Sequence, residues 1–371
     1  MILMALDHTR HYFSNVPPMV DPLDLHKTWP ALFLTRWITH YCAPVFVFLA
    51  GTGAFLSTTR GKTTKELSWF LLTRGLWLVL LESTVILWFG WSFAVNFHLI
   101  GAAVIWAIGW SKVVLAGLVL LPMRYIALFG IAMIAGHNLC DLVRPERFGS
   151  FDWLWKVLHT GGLVKLGPGF ALGVGYPLIP WMGVMAAGYA FGSILLWEPG
   201  RRRRAILFLG SALTALFIAL RTTNLYGNPK SWTGQSSLLF TLFSFIDCHK
   251  YPPSLLYLLM TLGPALMVLS LLDKGTPRIL QPALIFGRVP LFYYLLHLPL
   301  IHGLAVIVFY LRYGRADWLY GSSPADWPDG LGYGLPGVYL AWLCVILVLY
   351  PVCRWFAELK RRRRDAWLSY L

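Results

Sequence analysis

Close to its N-terminus the chain carries Asp7, His8, Arg10 and His11, immediately after the apolar run Met1 to Leu6. Helical spacing would gather these groups within about one turn. A histidine titrating near neutrality can take a proton from a hydroxyl or an amine, and an adjacent carboxylate can fix its tautomer and stabilise the imidazolium. That is the acid-base equipment of acyl transfer, with His8 as base and Asp7 as its orienting carboxylate. A polar cluster that merely ends an interfacial helix would use the same residues. Further on come His26 with Thr28 and Trp29, then Arg36 and His40, four apart and so on one helix face. Arg36 either serves the site or snorkels to headgroups.

Other ionisable residues interrupt apolar stretches. Glu82 lies inside one, where a carboxylate is costly and needs a partner; it is either functional or paired with an arginine such as Arg74 or Arg288. His297, one turn after Tyr293 and Tyr294, is expected to line a cavity and contact substrate, and His302 to be a packed polar residue. Lys250, beside Pro252 and Pro253, is a candidate for holding an anionic substrate group or a plain interfacial anchor. Trp232, Trp318 and Trp327 with Asp317, Asp326 and Asp329 suit sugar binding, although tryptophan also favours membrane interfaces. No HExxH or similar spacing occurs, so no metal is expected. Cys42, Cys140, Cys248, Cys344 and Cys353 show no CxxC spacing; a Cys140–Cys248 bridge is compatible with the order of the chain but not required.

The elements that must position these groups are written in the composition. Hydrophobic residues are 57% of 371 and charged residues 13%, far from the usage of soluble domains. Runs of about 20 apolar residues mean transmembrane helices, because backbone amides in hydrocarbon must be satisfied within their own segment. Such runs fall near residues 35–58, 72–96, 99–120, 123–140, 170–197, 205–221, 253–272, 284–311 and 336–356.

Taking the runs in order places every strong basic cluster on one side, including Arg60 to Lys65, Arg201 to Arg204 and Lys360 to Arg364. By the positive-inside rule that side is cytoplasmic and holds the C-terminus. The net charge of +15 is thereby assigned to topology and anionic lipids rather than nucleic acid. Residues 7–34 then lie outside, yet Met1 to Leu6 rise only about 9 Å against a hydrocarbon core of about 30 Å. The expectation is a first helix that is short or whose start lies upstream. Gly167, Gly169, Gly173 and Gly175 are expected to serve tight helix packing or a cavity wall. No fixed-period repeat or matched pair of broken helices is visible.

The run from Leu6 to Arg10 and the stretches RWITHYCAPVFVFLAG (Arg36 to Gly51), YPLIPWMGVMAAGYAFG (Tyr176 to Gly192), KYPPSLLYLLMTLGP (Lys250 to Pro264) and FGRVPLFYYLLHLPLIH (Phe286 to His302) carry a resemblance. Together they resemble bacterial membrane proteins similar to the catalytic domain of heparan-alpha-glucosaminide N-acetyltransferase. The resemblance implies transmembrane acyl transfer, in which acetyl-CoA supplies the acetyl group from the cytoplasm and a sugar amine or hydroxyl accepts it on the other side. It also implies an essential histidine near the outer end of the first helix or in the loop after it. His8 matches the first-helix position, and His26 with Trp29 resembles the His-x-x-Trp of the lysosomal enzyme.

The reading is an all-α polytopic bundle of about ten helices, one domain over residues 1–371, in the inner membrane. The expected catalytic residues are His8, Asp7 and His26. Arg36, His40 and Arg288 are expected to meet acetyl-CoA, and Lys250 and His297 the acceptor. Membrane lipids and a glycan or small-molecule acceptor are the expected partners, and a homodimer is left open. The alternatives are a transporter or flippase using the same histidine-lined cavity, and a non-catalytic membrane scaffold.

Overall fold

The computed structural model describes residues 1–17, 19–95, 98–321, 327–363 and 365–370; Asp326 and Arg364 of the preceding section lie outside them. The helices are α1 (Ile2–Phe13), α2 (Pro30–Thr58), α3 (Thr64–Ser92), α4 (Val104–Leu118), α5 (Met123–Cys140), α6 (Leu178–Leu196) and α7 (Pro199–Thr223). They continue with α8 (Leu238–Ile246), α9 (Leu255–Leu272), α10 (Gln281–Arg288), α11 (Pro290–Tyr313) and α12 (Leu335–Arg362). Among the described residues, eight of these are long and apolar enough to cross a membrane, and α4 is a shorter apolar helix of fifteen residues. Each apolar window of the sequence thus overlaps one of these nine helices. Large apolar side chains such as Leu128, Phe208, Leu311 and Leu347 stand exposed along them, as lipid-facing surface requires. The protein is an α-helical, multi-pass membrane bundle.

Local chemistry explains several boundaries. Helix α3 opens on a capping box, in which Thr63 accepts from the Glu66 amide and Glu66 accepts from the Thr63 amide at 2.8 Å. Within α2 the backbone tightens to a 3-10 turn over Ile38–Tyr41. Pro44, with no N–H to offer the carbonyl four residues earlier, accounts for that change. The last part of α3, Glu82–Ser92, is wound as a π-helix.

The contacts divide the chain into two compact units, one of Met1–Cys42, Thr84–Asn96 and Thr276–Leu371, the other of Ala43–Ser83 and Phe97–Gly275. In the second unit helices cross where glycines meet. A Cβ on Gly188 of α6 would lie 2.0 Å from the Phe48 carbonyl oxygen of α2, and one on Gly51 would lie 2.0 Å from that of Met185. The pairs Gly75–Gly109, Gly130–Gly183 and Gly210–Gly263 bring α3 to α4, α5 to α6 and α7 to α9 in the same way. Without a hydrophobic driving force between helices in lipid, such close approach supplies the van der Waals contact that holds them.

The same unit contains a small sheet that corrects the helix windows. Leu99–Ala102 (β1) runs parallel to Phe170–Val174 (β3), which pairs antiparallel with Gly162–Gly167 (β2). Both apolar windows therefore begin as strands, and their helices start only at Val104 and Leu178. Gly167, Gly169 and Gly173 belong to this sheet and its turn, where Gly169 takes φ +71. They do not serve helix packing.

In the first unit α1 packs against α11 and α12. The Trp342 indole donates to the Ile2 carbonyl at 2.9 Å, Thr35 and Tyr339 share a 2.9 Å hydrogen bond, and the Tyr333 amide donates to the Phe13 carbonyl at 2.8 Å. Met4, Leu6, Tyr12 and Phe13 are buried. Short as it is, α1 is fastened along its length, and that fixes the direction of its polar side chains.

A histidine and aromatic cluster as candidate active site

Asp7, on α1, faces two guanidinium groups. Arg36 Nη1 donates to Oδ2 at 2.6 Å and Arg10 Nη2 to Oδ1 at 3.3 Å, with the Asp7 and Arg36 side chains 21% and 13% exposed. The pair Asp7–Arg10 follows from i,i+3 spacing. Arg36 reaches Asp7 from the first turns of α2, so it is not extended to lipid headgroups. Asp7 thus accepts from one arginine on each of its oxygens, one carboxylate between two guanidiniums.

His8 and His11, one turn apart, meet a succession of rings. The His8 ring lies 5.2 Å from His297 of α11 and 5.0 Å, edge on, from Trp91 at the end of α3. His11 lies 5.7 Å from Trp91 and 5.3 Å from Trp327. His297 itself is stacked on Tyr293 at 5.3 Å. Tyr12 is stacked 4.6 Å from His302, whose other face carries Phe93 at 3.8 Å. Residues separated by nearly the whole sequence thus converge in one unit.

The end of the π-helix is held in place by this cluster. Carbonyl groups in a last helical turn have no partner within the helix. Here Tyr12 Oη donates to the Trp91 carbonyl at 2.8 Å, His302 Nδ1 meets the Gly90 carbonyl at 3.0 Å, and the Gly321 amide donates to the Ser92 carbonyl at 2.8 Å. His302 Nε2 meets the Leu319 carbonyl at 2.7 Å, so both its nitrogens face backbone carbonyls, to one of which the neutral ring donates. Phe93 follows with φ +46, a left-handed conformation that costs a bulky residue energy. Its stacking on His302 offsets that cost. The result is that Trp91 is presented to His8 and His11.

His297 differs from His302. Its Nδ1 lies 2.7 Å from the Tyr294 carbonyl and 3.2 Å from that of Tyr293. Carbonyl oxygens only accept, so Nδ1 carries the proton and the neutral ring exposes a lone pair at Nε2. His297 is fully buried, and Nε2 has no hydrogen-bond partner among the described residues.

Other anticipated residues are placed elsewhere. His26 is exposed in a turn where its amide donates to Asp24 Oδ1 at 3.0 Å, and it makes no contact with the rings. His40 is buried on the 3-10 turn of α2 that packs on α1. Arg288 is exposed at the C-terminal end of α10. Lys250 belongs to the other unit, buried there with Nζ 5.0 Å from the Tyr251 ring centre. Glu82, also in that unit, pairs with no arginine among the described residues; its Oε2 accepts from the Ile105 amide at 3.1 Å at the start of α4, where a helix N-terminus favours a carboxylate. Of the loop residues, Trp327 joins the cluster, Trp318 is buried near Phe309, and Asp317 pairs with Arg315 on the surface. All five cysteines are free.

Trp91 and Phe93 escaped sequence reading because a Trp-Phe-Gly-Trp run at a helix end reads as an interfacial belt. The only signal was its density of aromatics. The second unit holds another polar group. His159 Nε2 lies 3.1 Å from Asp141 Oδ1, Asn138 donates to Asp141 Oδ2 at 2.8 Å, and the His137 ring is 6.2 Å from that of His159. Partial burial alone would raise the Asp141 pKa, but the hydrogen bonds from His159 and Asn138 outweigh it and hold the carboxyl below its usual range.

Among curated proteins none matches the chain. The sequence model described as heparan-alpha-glucosaminide N-acetyltransferase, catalytic, matches residues 2–242. That span includes Asp7, His8, Arg36 and Trp91 and ends before His297 and His302. The chain belongs to the family of the heparan-alpha-glucosaminide N-acetyltransferase catalytic domain, a family of acetyltransferase-type membrane enzymes.

Proposed function

We propose that the protein moves an acetyl group from cytoplasmic acetyl-CoA to the amine or hydroxyl of a sugar or glycan on the opposite side of the inner membrane, with His8 as general base. The observation that carries this reading is the convergence of His8, His297 and Trp91 beside the Asp7–Arg36 pair in a member of an N-acetyltransferase family. A base and a cation are what acyl transfer needs. The base removes the acceptor's proton, and a guanidinium N–H stabilises the oxyanion that forms on the acetyl carbon. Arg10 is suited to the second task, because its buried Nε has no acceptor among the described residues.

The basic clusters support a cytoplasmic C-terminus. Arg288, exposed, would meet the CoA phosphates, while Arg36 and His40 border the donor's carbonyl.

The test uses proteoliposomes with radiolabelled acetyl-CoA outside and glucosamine inside. Acetylated sugar accumulating in the lumen, dependent on His8, is the expected result. Flux of glucosamine without consumption of acetyl-CoA would replace the enzyme with a carrier.

A further inference from the structure

We propose that His297 is the second proton station of the site, taking at Nε2 the proton that His8 removes from the acceptor. This rests on the acetyl-transfer reading above and adds a residue that lies beyond the stretch matched to the family. Three observations carry it. The two carbonyls of Tyr293 and Tyr294 fix the proton on Nδ1, so Nε2 is an acceptor. Nε2 is buried without a hydrogen-bond partner among the described residues, although leaving such a group unsatisfied is costly. The His8 ring is 5.2 Å away, between centres.

Depth orders the pair. His8 is partly accessible and His297 fully buried, so substrate meets His8 first and His297 stands behind it. His302, five residues on, cannot share the task because both its nitrogens face backbone carbonyls.

The step balances as follows. The acceptor's nitrogen or oxygen bonds to the acetyl carbon, and the thioester C–S bond breaks with its electron pair on sulfur. The acceptor's proton goes to His8 and on to His297 Nε2. One proton returns through the same pair to the CoA thiolate, which leaves both imidazoles neutral and releases CoA as the thiol.

Purified full-length protein, acetyl-CoA and glucosamine suffice for the test. His297→Gln should lower kcat about 100-fold, at the lower end of general acid-base effects, with KM changed less than about twofold. The rate in mixtures of light and heavy water should curve with deuterium content for wild type, as two protons in flight require, and become linear in His297→Gln. Wild-type kcat in His297→Gln would overturn the proposal while leaving His8 as base. A linear wild-type plot would also overturn it, and needs no variant to fold. Undiminished transfer by His8→Ala would overturn the underlying reading instead.

Discussion

Replacing Arg36 with Met tests whether the Asp7 pair holds the cluster together. Arg36 Nη1 and Asp7 Oδ2 are 2.6 Å apart, both side chains mostly buried, and Arg10 stands at 3.3 Å on the other oxygen. With an effective dielectric near 20, two unit charges about 4 Å apart attract by roughly 4 kcal/mol before desolvation is counted. Breaking a buried pair from one side strands a charge and costs about 3–5 kcal/mol. Arg10 remains to accompany Asp7, so we expect about 1–3 kcal/mol for Arg36→Met. In detergent this reads as a fall of roughly 2–6 °C in the thermal midpoint at fixed scan rate, taking about 2 °C per kcal/mol. Adding Asp7→Asn removes a carboxylate that has lost one of its two partners, keeps an oxygen to accept from Arg10, and should recover at least half of the loss, as coupled neighbours do. A single variant within 1 °C of wild type, or a double variant no better than Arg36→Met, would refute the reasoning.

Four further outcomes are expected. Gly188→Val should lower the midpoint by several degrees, because its Cβ would sit 2.0 Å from the Phe48 oxygen, whereas Gly200→Ala, with open space around it, should not. His26→Ala should keep more than half of wild-type acetyl transfer, since His26 is exposed and apart from the rings. Arg221 is buried and donates to the carbonyls of Phe245, Lys230, Ser244 and Asp247; Arg221→Met should cost about 3 kcal/mol or more and speed hydrogen exchange across residues 224–247. Asp141 has a folded pKa below its unfolded one, so its contribution to stability is complete above about pH 4 and disappears as pH falls through the folded value. Midpoints measured downward from pH 5 should therefore fall more steeply for wild type than for Asp141→Asn.

Apolar length and charge asymmetry made the membrane bundle legible, because a helix that crosses lipid needs little more than a long apolar run. The strands Leu99–Ala102 and Phe170–Val174 were not legible. Short apolar segments look alike in helix and strand, and only pairing across the chain decides between them. His8 and His297 stood out as ionisable residues in apolar surroundings, and the structure brings their rings together. The partner of Asp7 was hidden for a different reason. Adjacency in sequence drew attention to His8, while the guanidinium at 2.6 Å arrives from α2, 29 residues on. His26 illustrates the converse, a residue singled out by a short motif that the fold leaves in an exposed turn.

The most direct test of the central claim is the release of CoA thiol from acetyl-CoA by reconstituted protein with glucosamine present, compared between wild type and His8→Ala. The account predicts acceptor-dependent release by wild type and a loss of about 100-fold or more in the variant, the scale on which a general base contributes. Equal release by both would contradict it.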